Sequence, residues 1–252
     1  MTLVKLESQS DVAILRLDNG VINSINSRLL SNLSETLSEI RNQCRGVVLT
    51  GGEKFFSLGF DLPELLNFNR NDMMDFFWKF NETVLELFTI PRPTACAIKG
   101  HAIAGGTILL LSCDYRLAVP EKVSIGLNEI KLGVPTPYLA DLILRQVTGD
   151  HIASQIIYEG EFMNSTEALK KDVLTEVVSR EEVEHRAFER VIKISGFNTR
   201  AFSESKANRC QNIESAYRSG HMIKNEAFID CWFNPVTQDT LREAARKSFS
   251  RQ

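Results

Sequence analysis

The 252-residue chain predicts an α/β core followed by a helical C-terminal part. Three observations predict it. Short apolar runs of strand type alternate with helix-period stretches in the earlier part of the chain. From Ser165 onward the pattern is helical almost throughout and more highly charged. No stretch rich in Pro, Gly or Ser separates the two parts, so they read as one folded unit.

The elements follow in order. Val12–Leu17 (VAILRL) reads as a strand, closed by the turn Asp18-Asn19-Gly20. A helix begins at Asn26, with Leu29, Leu30, Leu33, Leu37 and Ile40 at helical spacing, and Gly46–Thr50 is a short strand of the buried type. Phe55–Asp61 reads as a Gly-containing connection. It leads into a helix at Asp61-Leu62-Pro63-Glu64, with Asp61 as N-cap, Pro63 in the first turn and Glu64 placed to complete a capping box. Met73, Phe76, Phe77, Phe80, Val84, Leu87 and Phe88 form a helical stripe that reads as core, ended by Pro91 and Pro93. Thr94–Lys99 is strand-like, Gly100–Gly106 turns, and Thr107–Cys113 is an apolar helix. Arg116–Val119 and Val123–Ile125 are strand candidates; Leu139–Val147 and Ile152–Tyr158 read as helices. The expected division is a core over residues 1–195 and a helical region over residues 196–252.

Composition narrows the function. The formal net charge is −3 and no block of Lys or Arg stands out, which argues against a nucleic-acid binder. The five cysteines (Cys44, Cys96, Cys113, Cys210, Cys231) are widely spaced, with no C-x-x-C, so a disulfide framework and a zinc site are both disfavoured and a reducing compartment is expected. His101 and His151 lack ligand-spaced partners, and no metal is expected. The apolar run around Thr107–Ser112 is too short to span a membrane, and Met1–Glu7 carries no secretory signal. The expected location is the cytoplasm, or an organelle matrix after processing.

Two Gly-containing loops precede helices: Ser57-Leu58-Gly59-Phe60-Asp61 and Gly100-His101-Ala102-Ile103-Ala104-Gly105-Gly106. Helix starts carry N–H groups without intrahelical partners, and glycine lets a ligand approach them closely. Facing each other, two such loops would hold an oxygen on which negative charge develops. On spacing alone, a plain strand-to-helix turn is the weightier reading of each.

Five segments resemble the crotonase (enoyl-CoA hydratase/isomerase) family in order and approximate spacing: Val12–Asn26, Gly46–Asp61 with FSLGFDL, Thr94–Arg116 with AGG and CDYR, Ser124–Pro137 with IGLNE, and Thr166–Val178. The resemblance implies a spiral of ββα units followed by helices, assembled as a homotrimer or a pair of trimers. It implies an acyl-CoA substrate, no separate cofactor, and a place in fatty acid metabolism. It puts an oxyanion hole at the N–H groups of Phe60 and Gly105 and a catalytic carboxylate at Glu129. Coenzyme A is expected to pass along the main chain at Asn23 and Ser24, with Ser57, Leu58, Gly59, Asp61 and Ile108 also in the substrate site; Asp61 reads more as a cap than a catalyst. Hydratases of the family carry a second glutamate, and its place falls on Ile108. With one carboxylate and an apolar residue at 108, the chain most resembles the 3,2-trans-enoyl-CoA isomerases. The alternatives are hydration, thioester hydrolysis or decarboxylation on Glu129 alone, or a catalytically silent scaffold. Asp114 and Arg116 read as structural, paired with each other or with the neighbouring loop. Lys206 and Lys224 read as solvated lysines or as contacts to a coenzyme A phosphate. The apolar tail residues Phe228, Ile229, Trp232, Phe233 and Leu241 are expected over the active site or across a subunit contact.

Overall fold

The computed structural model describes residues 2–120 and 122–249, so the extreme ends of the two expected regions, at 1 and 250–252, lie outside it. The chain opens with a hairpin, β1 (Val4–Gln9) and β2 (Val12–Leu17), and helix α1 (Ser27–Ile40). Three units follow in which two strands precede helical structure. The first is β3 (Gly46–Thr50), β4 (Phe55–Ser57), α2 (Leu62–Leu65) and α3 (Arg70–Thr89). The second is β5 (Thr94–Ile98), β6 (His101–Ile103) and α4 (Gly105–Leu111). The third is β7 (Tyr115–Ala118), β8 (Ile125–Gly126), a 3₁₀ turn (Glu129–Leu132), α5 (Tyr138–Thr148) and α6 (Asp150–Glu159). Then come α7 (Ser165–Lys170), β9 (Glu176–Val177), α8 (Val183–Ser195), α9 (Thr199–Trp232) and α10 (Pro235–Phe249).

In each unit the first strand joins one sheet and the second joins another. The large sheet runs β1-β2-β3-β5-β7-β9 and the small one β4-β6-β8. Among the described strands, β1 and β2 pair antiparallel and the other pairs are parallel. This alternation is the ββα spiral. β3 and β5 are buried along their whole length, as parallel strands covered on both faces must be, which explains their continuous apolar runs. Helix α8 packs on β3, β5 and β7.

Local signals decide the helix starts. Asn26 caps α1 by accepting from the Leu29 N–H, and Asp61 caps α2 by accepting from the Glu64 N–H at 3.2 Å. The capping box at Asp61 forms only by half. The Glu64 carboxylate turns instead to Ser27, accepting from its N–H at 3.1 Å and its hydroxyl at 2.5 Å, and so ties α2 to α1.

Several elements depart from the sequence expectation. β1 is a polar edge strand with five of its six residues exposed, so no apolar alternation marks it. β4 and β6 are three residues each, inside stretches that read as Gly-containing turns, and β9 is two residues inside a stretch that reads as helix. The strand expected at Val123–Ile125 sits at Ile125–Gly126, where it pairs with β6. Arg116 and Asp114 do not pair through their side chains. The Arg116 guanidinium donates to the carbonyls of Cys113, Asp114, Asp172 and Val173. Asp114 accepts from the Thr94 N–H and hydroxyl and from Lys206 at 2.8 Å. Lys206 is therefore neither solvated nor a phosphate contact: its side chain is 4% exposed and anchors α9 to the start of β5 and β7.

Candidate active site

The small sheet positions the site. β4, β6 and β8 run parallel, so their C-terminal ends lie together, and each leads into one loop: Leu58–Phe60, Ala104–Gly105 and Leu127–Glu129. Ligand sites in α/β sheets commonly lie beyond the carboxyl ends of strands. Here Leu58, Phe60, Ala104, Gly105, Ile108, Asn128 and Glu129 line one pocket of about 990 Å³ with its mouth included.

The first two loops press against each other. Gly59 has φ +89°, and a β-carbon on it would sit 2.9 Å from the Ile103 carbonyl oxygen and 3.2 Å from the Gly105 nitrogen. A β-carbon on Gly106 would lie 2.5 Å from the Ser57 carbonyl oxygen. Both positions therefore require glycine for this approach. Ala104 has φ +49° and ψ −117°, a region that strains a residue with a β-carbon by roughly 1–3 kcal/mol. Strain is thus held at the turn that aims the Gly105 N–H, and that N–H, at the first position of α4, is one no intrahelical bond uses.

The first loop is pinned by Asn23, Ser24, Ser57 and Asp61. The Ile25 N–H donates to the Gly59 carbonyl at 2.7 Å, and the Asp61 N–H donates to the Ile25 carbonyl at 3.1 Å. Backbone alternation then turns the Phe60 N–H away from Ile25. The Ser57 hydroxyl donates to the Asn23 carbonyl and accepts from the Gly59 N–H. Asn23, at φ +46°, accepts from the Asn19 N–H and donates to the Leu17 carbonyl. The Ser24 hydroxyl donates to Asp61 at 2.7 Å. Their side chains are thus committed to holding the loop, whereas Leu58, Phe60, Gly105, Ile108 and Glu129 line the pocket. The Phe60 ring packs edge-on against Phe76 and Phe80 of α3, at 5.2 and 4.8 Å between centroids.

Glu129 is 6% exposed, and its Oε2 has no hydrogen-bond partner. Burial pushes its carboxyl up from an ordinary 4.5 to about 7; only the hydrogen bond from its own backbone N–H pulls the other way. Its surroundings explain the burial. Ile108, Leu132 and Val134 line the same pocket, and Phe228, Trp232 and Leu241 close it from α9 and α10. The helical tail covers the site within the same chain.

Sequence reasoning missed Asn128 and Thr107. The Thr107 hydroxyl donates to the Ala102 carbonyl at 2.6 Å and accepts from the Gly126 N–H at 3.1 Å, joining β6 and β8 just before the Glu129 loop. A lone threonine in an apolar helix gives no signal of this. Asn128 stood beside Glu129 in the IGLNE segment, and its unpartnered Oδ1 in the pocket follows only from the fold. Among the described residues, no group of three or more His, Cys, Asp or Glu has the arrangement to hold a metal ion, and no helix is long and apolar enough to cross a membrane.

The chain is similar to known proteins along nearly its whole length. It is 33% identical over 247 residues to enoyl-CoA delta isomerase 1, mitochondrial, of Mus musculus, covering 96% of this chain and 84% of that protein. It is 27% identical over 242 residues to the short-chain-enoyl-CoA hydratase of Clostridium acetobutylicum, covering 94% and 92%. The crystal structure of human mitochondrial delta3-delta2-enoyl-CoA isomerase has the same fold, with a TM-score of 0.95 at 25% identity over 99% of both chains. The sequence signature described as enoyl-CoA hydratase/isomerase matches residues 7–231, and the protein belongs to that family, with its crotonase fold.

Proposed function

We propose that this protein is an enoyl-CoA delta-isomerase that moves a double bond from the 3 to the 2 position of an acyl-CoA thioester. The observation that carries the reading is a buried carboxylate, Glu129, in a pocket whose other walls include Ile108 and, among the described residues, no second acid. Water addition needs both an activated water and a proton delivered to carbon, work usually shared by two carboxylates. A 1,3-proton shift needs one group that takes a proton at C2 and returns it at C4. Glu129 fills that role, with a pKa near neutrality that makes it a stronger base than an ordinary carboxylate.

The Phe60 and Gly105 N–H groups receive the thioester oxygen and stabilise the dienolate, typically the larger electrostatic contribution. The tight approach of Gly59 to Gly105 supports this pairing. Coenzyme A enters as part of the substrate, passing the Asn23–Ser24 segment, and no further cofactor takes part. The working assembly is a homotrimer or a pair of trimers. Tyr158, Met222, Ile223 and Val236, each about three-quarters exposed, support a partner surface outside the pocket.

The similarity to a hydratase keeps hydration on Glu129 alone as the second reading. Products from 3-hexenoyl-CoA, crotonyl-CoA and a malonyl-type thioester, identified by mass and ultraviolet absorbance, separate the readings. Conversion of the first to 2-hexenoyl-CoA supports isomerase. Conversion only of crotonyl-CoA, or of the malonyl compound, contradicts it. Thioester binding without turnover of any of them marks a silent scaffold.

A further inference from the structure

The proposed acyl pocket has an open and a closed end. Lys247 and Phe162, on its lining, are well exposed, whereas Phe228, Trp232 and Pro137 are buried. Phe228 is fixed in place: its ring stacks on Phe77 of α3 with centroids 3.9 Å apart and planes 11° apart. Phe228 and Pro137 also line a second, open cavity of about 1060 Å³ with its mouth included. Its walls are largely apolar (Ile130, Tyr138, Ile157, Ala227) but also carry Asp141, Arg145 and Lys224. These two residues are thus common to both spaces.

We propose that Phe228 determines the acyl-chain length this protein accepts, by closing the catalytic pocket against a neighbouring, largely apolar cavity able to take the end of a longer chain. The inference rests on reading the first pocket as an acyl-thioester site. Its physical basis is simple. Each methylene buried in an apolar pocket strengthens binding by about fourfold, and a methylene that meets a rigid ring gains nothing. Phe77 prevents the ring from yielding, so the limit is sharp rather than graded. Removing the ring joins the two spaces and lets further methylenes be buried.

Saturated acyl-CoA thioesters test this without any catalytic step. Affinities of hexanoyl-, decanoyl- and hexadecanoyl-CoA would be measured by calorimetry for the wild type, Phe228→Leu, Phe228→Ala and the double variant Phe228→Ala, Ala227→Trp. In the wild type, affinity should rise with chain length and then level off or fall. Phe228→Ala should improve hexadecanoyl-CoA relative to hexanoyl-CoA by tenfold or more, Phe228→Leu by less, and tryptophan at 227 should remove the gain by filling the second cavity. A folded Phe228→Leu or Phe228→Ala with the wild-type ratio overturns the inference. If Phe228→Ala does not fold, a wild-type affinity that climbs without a break to hexadecanoyl-CoA overturns it equally. Failure of the wild type to bind any thioester overturns the acyl-site reading itself, a different result from an unchanged ratio.

Discussion

Replacing Glu129 by Gln should make the protein inactive and, at alkaline pH, more stable. The carboxyl is held at about 7 in the folded chain against an ordinary 4.5, and burial is the cause. The folded chain therefore keeps, between those two values, a proton that the unfolded chain has released. Stability falls as pH rises through this window and levels off above about pH 7, the opposite of a salt-bridged carboxylate. At ~1.36 kcal/mol per pH unit, this loss is about 3 kcal/mol. Gln has the same shape and no charge to desolvate, so it does not suffer this loss. The assay is urea unfolding of both proteins at about pH 5 and about pH 8; the difference of differences cancels every other titrating group as well as any pH-independent effect of the amide. The wild type should lose about 2.5 kcal/mol more than the variant between the two conditions, because part of the loss has already occurred at about pH 5. Catalysis should fall by about 10²–10⁴-fold while thioester binding is largely kept. A difference of differences below about 0.5 kcal/mol would refute the buried, unpaired state of Glu129, because that is the scatter expected between independent effects. Retention of more than a tenth of the wild-type rate would refute its role as the base.

Three further outcomes follow from the same geometry. The kcat/KM for isomerisation should rise with pH through about 7 and then level off, since the base must be deprotonated; a profile flat from about pH 5 to about pH 8 would contradict the assignment. Lys206→Ala should cost about 2 kcal/mol in urea unfolding with kcat/KM kept within about twofold, because it removes the lysine paired with Asp114 and neither residue is among those lining the catalytic pocket. The figure lies below the full range for a buried pair because Asp114 is 30% exposed, and an unchanged midpoint would show the pair to be inert. Light scattering at micromolar concentration should give a trimer or hexamer, and a stable monomer would contradict the proposed assembly.

What the sequence made legible was local. Asn26 and Asp61 announce their helices because a cap acts on residues two or three positions away. The buried runs of β3 and β5 show through for the same reason, since burial on both faces leaves a continuous apolar stretch. β4 and β6 did not show, although they carry the two loops, because three residues are too few for any period. Glu129 is the sharper case. Nothing near it in sequence separates it from a surface carboxylate, and only the family resemblance singled it out. Its burial depends on residues about a hundred positions later, Phe228, Trp232 and Leu241, which fold back over the pocket. The ion pair between Asp114 and Lys206 was hidden in the same way, by a separation of 92 residues.

The ratio of kcat/KM for isomerising a 3-enoyl-CoA to kcat/KM for hydrating the 2-enoyl-CoA of the same chain length tests the central claim most directly. Ile108 lines the pocket together with Glu129, and among the described residues no second carboxylate lines it to orient a water or relay a second proton, so the ratio should lie far above one. A loss of one acid–base group is worth about 10²–10⁴-fold, which sets the scale of the preference. A ratio near one, or below it, would contradict the isomerase reading while leaving the family and the fold untouched.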